Sequence, residues 1–272
     1  MPDRILLFIS AYSCANQIPR VLAKFTPKYA SVFNEILIID NRSPDNTAES
    51  AIEAAKNLNK RTGIDIKVLR NTENISLGGT HKVAFNYAID NGFDYVSILH
   101  GDDQGDVADL VAAIQSSRHR DLDYYLGSRF LPESKLVGYS WWRIFGNLIF
   151  NHLFSIVVWK KLYDLGSGMN IFKVDALKDR FYMSFPNRLT FNYYFTLHMC
   201  AYKNSFAYFP HHWSEDDQVS NLKLFKAVKE ILLLLFKYIS YRKQLFDSLP
   251  DDNHSYETET LYDSEAPSRI SA

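Results

Sequence analysis

Five short apolar runs, at 5–12, 35–41, 64–71, 95–101 and 123–129, alternate with segments of helical spacing at 18–25, 47–58, 80–91 and 107–117. No other feature restricts the fold of this 272-residue chain so strongly. The runs are rich in Ile, Leu, Val and Tyr, and several are apolar on both faces, the pattern of parallel strands buried between two helical layers. Parallel strands need crossovers, and a helix after each strand supplies them with one handedness. The expected fold class is therefore α/β, a doubly wound, mostly parallel sheet flanked by helices. Ligands of such sheets bind at the carboxyl ends of the strands.

After residue 129 the pattern loosens. Helices are expected at 139–163, 191–202 and 219–241, and strands at 168–174 and 205–213. The expected organisation is one domain over 1–217, an amphipathic helix over 218–246 and an acidic, disordered tail over 247–272. The tail holds seven acidic residues against Arg269 alone, while residues 1–246 carry 29 basic and 24 acidic side chains. A nucleic-acid binder would carry a far larger basic excess, so no nucleic-acid partner is expected. Two cysteines, Cys14 and Cys200, fit a reducing compartment and offer no Cys-based zinc site. No stretch reaches the roughly 18 apolar residues of a membrane span. The expected location is the cytoplasm. Peripheral contact with the membrane is expected through 139–163 and 219–241, which mix apolar runs, aromatics and lysines. A core or oligomer role for those helices remains the alternative.

The strand ends carry the chemistry. The second run closes on Asp40, followed by the polar turn Asn41 to Thr47. A carboxylate there can accept hydrogen bonds from a nucleobase or ribose, or the turn can simply cap the next helix. The fourth run closes on His100, Gly101, Asp102, Asp103, Gln104, Gly105 and Asp106. Clustered carboxylates repel unless a cation screens them, and oxygen donors of this kind suit Mg2+ or Mn2+ bridged to phosphates; a solvated acidic turn is the alternative.

Taken in order, these segments resemble the family 2 inverting glycosyltransferases of GT-A fold, in particular the branch of dolichyl-phosphate mannose synthase and bacterial polyprenyl-phosphate glycosyltransferases. The resemblance rests on Asp40 to Thr47, Asn74 to Asn86, His100 to Gln104, Gly127 to Phe130 and Asp164 to Gly168, and covers residues 4–223. It implies a nucleotide-sugar donor contacted by Tyr12 and Asp40, with Lys82 and Arg129 adding positive charge near the phosphates. It also implies Mn2+ or Mg2+ held by Asp102 and Gln104, with His100 where the family has its first Asp. His100 can ligate metal, bond a phosphate or serve the structure. The family's nucleotide-facing Glu after the first strand is missing here, where Ser13 and Cys14 stand.

The acceptor is read from two segments. Asn192 falls where hydroxyl-using relatives have an Asp base, and it cannot take a proton, which favours a phosphate acceptor. Glu215, Asp216 and Asp217 stand where the polyprenyl-phosphate branch carries an Arg, which favours a hydroxyl. The expected function is metal-dependent hexosyl transfer to a hydroxyl of a saccharide, lipid-linked in the leading reading, with Glu215 or Asp216 as general base. The alternatives are a polyprenyl-phosphate hexose synthase and a non-catalytic binding protein on a degenerate transferase fold. A sugar nucleotidyltransferase would want a Gly- and Arg/Lys-rich turn after the first strand, and residues 10–17 lack it.

Overall fold

The structure, a computed structural model, describes residues 2–215, 224–249 and 254–265. In chain order the elements are β1 (Ile5–Ala11), α1 (Ile18–Ala23), α2 (Pro27–Ala30), β2 (Glu35–Asp40), α3 (Thr47–Thr62), β3 (Asp65–Asn71), α4 (Ser76–Asp90), β4 (Tyr95–His100) and α5 (Val107–Gln115). They continue with β5 (Tyr124–Ser128), β6 (Leu136–Val137), α6 (Trp141–Val158), β7 (Asn170–Lys173), α7 (Phe191–Ala201), β8 (Phe206–Pro210), β9 (Trp213–Ser214), α8 (Leu224–Tyr241), α9 (Gln244–Asp247) and β10 (Thr258–Asp263).

Eight strands make one sheet in the order β10-β3-β2-β1-β4-β7-β5-β8. All but β7 and β10 run the same way. Alternate residues feed two cores. Leu6, Phe8, Leu37 and Ile39 face one side, and Leu7, Ile9, Ile36 and Ile38 face the other. Ala51, Ala55 and Leu58 of α3 and Leu110 of α5 close the second core, while Phe85 of α4, Phe195 of α7 and Leu234 of α8 close the first. This is the mostly parallel α/β sheet expected from the sequence.

The strand expected at 168–174 is β7, and it runs antiparallel between β4 and β5. The start of the helix expected at 219–241 lies outside the described residues, which resume at Leu224. The tail expected as disordered contains β10, an antiparallel edge strand on β3. Its acidic composition hides a working strand, because Leu261 and Tyr262 pack against the core while its carboxylates meet a cation. Lys67 Nζ stands 3.8 Å from Asp263, 3.9 Å from Glu265 and 3.9 Å from Glu35.

His198 of α7 is buried between rings, stacked 3.8 Å from Phe181 and 4.2 Å from Tyr202. Burial, with the charge of Lys243, pushes its imidazole down to about 4. The unfolded chain therefore binds a proton there that the folded chain refuses. Stability is full above the ordinary histidine value and falls as pH drops from there towards 4, by up to roughly 1.4 kcal/mol per pH unit for one such group. His198→Phe is expected to keep the stack and flatten this pH dependence by one proton, read from urea unfolding at about pH 7 and about pH 5. An unchanged slope overturns the assignment.

Candidate active site

The parallel register puts the chemistry on one edge. Ala11 pairs with Asp40, Asp40 with Arg70, and Ser10 with His100. The ends of β1, β2, β3 and β4 are therefore level, and Tyr12, Asp40, Arg70 and the Asp102 loop project from the same rim. Tyr12 is exposed. Asp40 is fully buried; its Oδ1 accepts from the Ser43 N–H at 3.2 Å and from the Ser43 hydroxyl, and its Oδ2 accepts from Arg70 Nε at 2.8 Å. The hydrogen bond to Asp40 lifts Arg70 above the usual arginine range. Local turn-holding falls to Asp45, whose Oδ1 accepts from the Thr47 hydroxyl at 2.6 Å. Behind Asp40, Asn71 donates to Asn41 at 3.0 Å and Asn41 to Asn74 at 3.0 Å, which ties the end of β3 to the start of α4. Arg70, Asn41 and Asn71 were not singled out in the sequence.

The loop after β4 is anchored from both sides. Asp103, at φ +64°, accepts from Arg20 at 2.8 Å and lies 2.7 Å from Lys24. Asp106 caps α5, accepting from the Ala108 N–H at 2.9 Å. Asp102 has no cationic partner among the described residues. Burial, and then the charges of Asp103 and Glu215, push its carboxyl up to about 6 against the Gln104 N–H that donates to it at 3.2 Å. Gln104 is half-buried, and its carbonyl accepts from the Ser214 N–H at 2.9 Å, which brings the segment with Glu215 alongside.

Glu215 is already engaged. Arg143 Nη1 donates to Oε1 at 2.6 Å and to Oε2 at 2.5 Å, and Trp213 Nε1 approaches Oε1 at 3.5 Å. Arg143 is the only Lys or Arg in α6 and sits in its first turn. Tyr139 lies between two guanidiniums, 4.6 Å from that of Arg143 and 5.6 Å from that of Arg129. Arg129 does not reach out as an open phosphate contact. It is buried, with Nε and Nη2 each 2.8 Å from the Asp164 carboxylate. Burial opposes the Arg129 charge, and Asp164 outweighs it, so the guanidinium stays above its usual range. Asp164 is correspondingly held below the usual carboxylate range despite its burial.

Lys82 lies away from this rim. It is fully buried in α4, where its ammonium donates to the carbonyls of Met183 at 2.9 Å and Phe185 at 2.5 Å and to the Tyr256 hydroxyl at 3.0 Å. A side chain so enclosed ties the segment at Tyr256 to α4. The glycines of the same segment also serve packing, since a Cβ on Gly78 would lie 2.7 Å from that of Phe191. Asp216 lies outside the described residues.

Among the described residues no three His, Cys, Asp or Glu side chains converge as a preformed metal centre. Mg2+ and Mn2+ sites completed by substrate phosphates need only one or two protein carboxylates. The unpaired Asp102, raised by burial and by like charges, fits such an ion. His100 meets Gly168 instead of a carboxylate. Its Nε2 is buried without a partner, and burial, then the charges of Arg129 and His211, push the ring down to about 4.

The mostly parallel α/β sheet thus carries an Asp at the end of its second strand and an unpaired Asp after its fourth. The sequence profile "Glycosyl transferase family 2" matches residues 7–181, and the chain belongs to that family. It is 24% identical over 175 residues to an undecaprenyl-phosphate mannosyltransferase of Micrococcus luteus, covering 64% of this chain and 68% of that protein. Glucosyl-3-phosphoglycerate synthase from Mycobacterium tuberculosis, solved with UDP, superposes with a TM-score of 0.59 at 13% identity, covering 96% of this chain and 89% of that one. The same synthase has been solved with Mn2+, UDP and phosphoglyceric acid. Residues 1–349 of S. aureus TarS superpose at 0.56 with 17% identity, over 87% of this chain and 64% of that chain, so this chain spans less than two thirds of it.

Gly168 is the tightest point beside His100. A Cβ there would lie 2.6–2.8 Å from three atoms of the imidazole ring. Gly168→Ala is expected to displace His100, cost about 1–3 kcal/mol of stability and weaken nucleotide binding. Calorimetric titration with UDP and GDP checks this, and wild-type affinity and stability together overturn it.

Proposed function

We propose that this glycosyltransferase is an inverting hexosyltransferase that moves a sugar from a nucleotide diphosphate donor to a polyprenyl phosphate. The observation that carries the reading is the grip of Arg143 on Glu215. A carboxylate with both oxygens on one guanidinium is poorly disposed to take a proton from an attacking hydroxyl. A phosphate acceptor needs no general base, because its oxygen is already anionic. Arg143 stands at the opening of a helix with an exposed apolar face, where it can exchange Glu215 for the acceptor phosphate. A lone cation in a first helical turn is disfavoured by the helix dipole, which supports a role beyond helix stability.

In this reading Tyr12, Asp40 and Arg70 hold the nucleoside. Asp102, with Gln104 beside it, would hold Mn2+ or Mg2+ on the donor diphosphate. That ion supplies Lewis-acid stabilisation of the charge on the departing nucleotide. The acceptor oxygen attacks the anomeric carbon as the sugar–diphosphate bond breaks, and the nucleoside diphosphate leaves with the bonding electrons. Arg129 acts through Asp164 and Tyr139, keeping Arg143 aimed at the cleft.

The acceptor's lipid tail calls for a membrane surface. No helix of the described residues is long and apolar enough to cross a membrane. Two neighbouring helices leave apolar side chains bare: Trp141, Trp142, Phe145 and Leu148 on α6, and Leu232, Leu233 and Phe236 on α8. Peripheral binding at the cytoplasmic face accommodates both the donor and these residues. A second reading, transfer to a saccharide hydroxyl with Glu215 or Asp216 as base, is supported by the proximity of the Glu215 charge to Asp102.

The test is sugar transfer to a short-chain polyprenyl phosphate in detergent. Donor nucleotide and metal are first identified by thermal shift with UDP, GDP, dTDP and CDP, with and without Mn2+. Loss of a charged hydrogen bond predicts that Arg143→Gln raises the acceptor KM by about 10–100-fold. Glu215→Gln is expected to retain turnover. Abolition of transfer by Glu215→Gln, with Arg143→Gln active, favours the hydroxyl reading instead.

A further inference from the structure

Three helices end together on the side where α6, α7 and α8 meet, and their ends line a groove of about 840 Å3. Each is followed within two residues by a left-handed residue that is not glycine: Trp159 at φ +56°, Lys203 at +60° and Arg242 at +46°. Glycine is the usual residue at such caps, because any Cβ is strained there. Lys160 and Lys243 complete the lining. All four cations are exposed, and none has an ion pair among the described residues. Lys160 lies 5.0 Å over the Phe206 ring and Lys243 4.6 Å over that of Tyr202, so their partners are ring faces and not carboxylates. Trp159 is 86% exposed, and Tyr241 also stands in the open.

Helix C-termini favour cations in general. That accounts for positive charge here but not for a bare tryptophan and tyrosine beside it. Unpaired Lys and Arg next to exposed Trp and Tyr match the chemistry of the headgroup layer, where the rings sit at the interface and the cations meet lipid phosphate. We infer that this groove is a binding site for anionic phospholipid headgroups, distinct from the acceptor phosphate site at Arg143. The inference rests on the peripheral membrane reading above and adds to it a preference for anionic lipid. The apolar faces of α6 and α8 supply affinity for any bilayer, and Lys160, Lys203, Arg242 and Lys243 supply selection by charge.

The test is flotation of the full chain with phosphatidylcholine vesicles, with and without phosphatidylglycerol. Wild type is expected to bind the anionic vesicles more tightly, and the difference is expected to shrink with salt. The double variant Arg242→Gln/Lys243→Gln is expected to bind anionic vesicles about thirty-fold more weakly, with neutral-vesicle binding unchanged. Lys160→Gln/Lys203→Gln, which leaves the turn after α8 intact, is expected to do the same. Equal binding of wild type and both variants to anionic vesicles overturns the site. Release of wild type by inorganic phosphate, at an ionic strength where chloride does not release it, also overturns it, because the groove would then be a free-phosphate site. Transfer to the short-chain acceptor in detergent is expected to survive in both variants. Its absence in wild type would remove the acceptor reading while the vesicle comparison still judges the groove.

Discussion

The buried pair of Arg129 and Asp164 holds the right-hand half of the cleft together. Arg129 follows β5, Asp164 precedes β7, and the Arg129 N–H also donates to the same carboxylate at 3.0 Å. Removing one partner of such a pair leaves an uncompensated charge in a low-dielectric interior, typically a cost of about 3–5 kcal/mol. The consequences spread from there. The guanidinium lies against Phe130, Tyr139 and Trp213, which sets the cleft wall. Its field is among the causes that keep His100 neutral. Asp164 absorbs the charge of Arg129 as Glu215 absorbs that of Arg143, so both guanidiniums at this end of the cleft are paired.

The other half of the cleft depends on register. Asp40 and Arg70 can pair only because β2 and β3 run parallel and in step. The Asp40 side of the site is thus built into the sheet, where strand geometry is stiff. The Arg143 and Glu215 side is built from α6 and from the short β6–β9 pair, where rearrangement is easier.

Much of this was legible in the sequence, and the reasons for the rest are physical. Strands β1, β2, β4 and β5 were readable because burial on both faces leaves nearly continuous apolar runs, and β3 because Ile66, Val68 and Leu69 still mark its buried positions. Asp40 and Asp102 were readable because carboxylates directly after such runs are conspicuous. Arg70 was hidden inside a run, and its role appears only once the register with Asp40 is known. Arg143 had a signal that could have been used: it is the only Lys or Arg in a strongly apolar helix, at the end where a cation is least welcome. The burial of Lys82 was not legible, because its bonds to the Met183 and Phe185 carbonyls and to Tyr256 come from segments far away in the sequence. Strand β10 was missed because one-sided edge strands tolerate the polar composition of a tail.

That last strand changes how the chain must be made. Ile66 and Ser264 are 198 residues apart, yet the Ile66 N–H donates to the Ser264 hydroxyl at 2.8 Å. During synthesis the first 130 residues emerge with β1 to β5 present but with β3 still a bare edge. Lys82 has no Met183, Phe185 or Tyr256 to bond until those residues leave the ribosome. The half of the sheet that is first in sequence is therefore among the last parts to close, and the nascent chain carries an unpaired strand edge through most of translation.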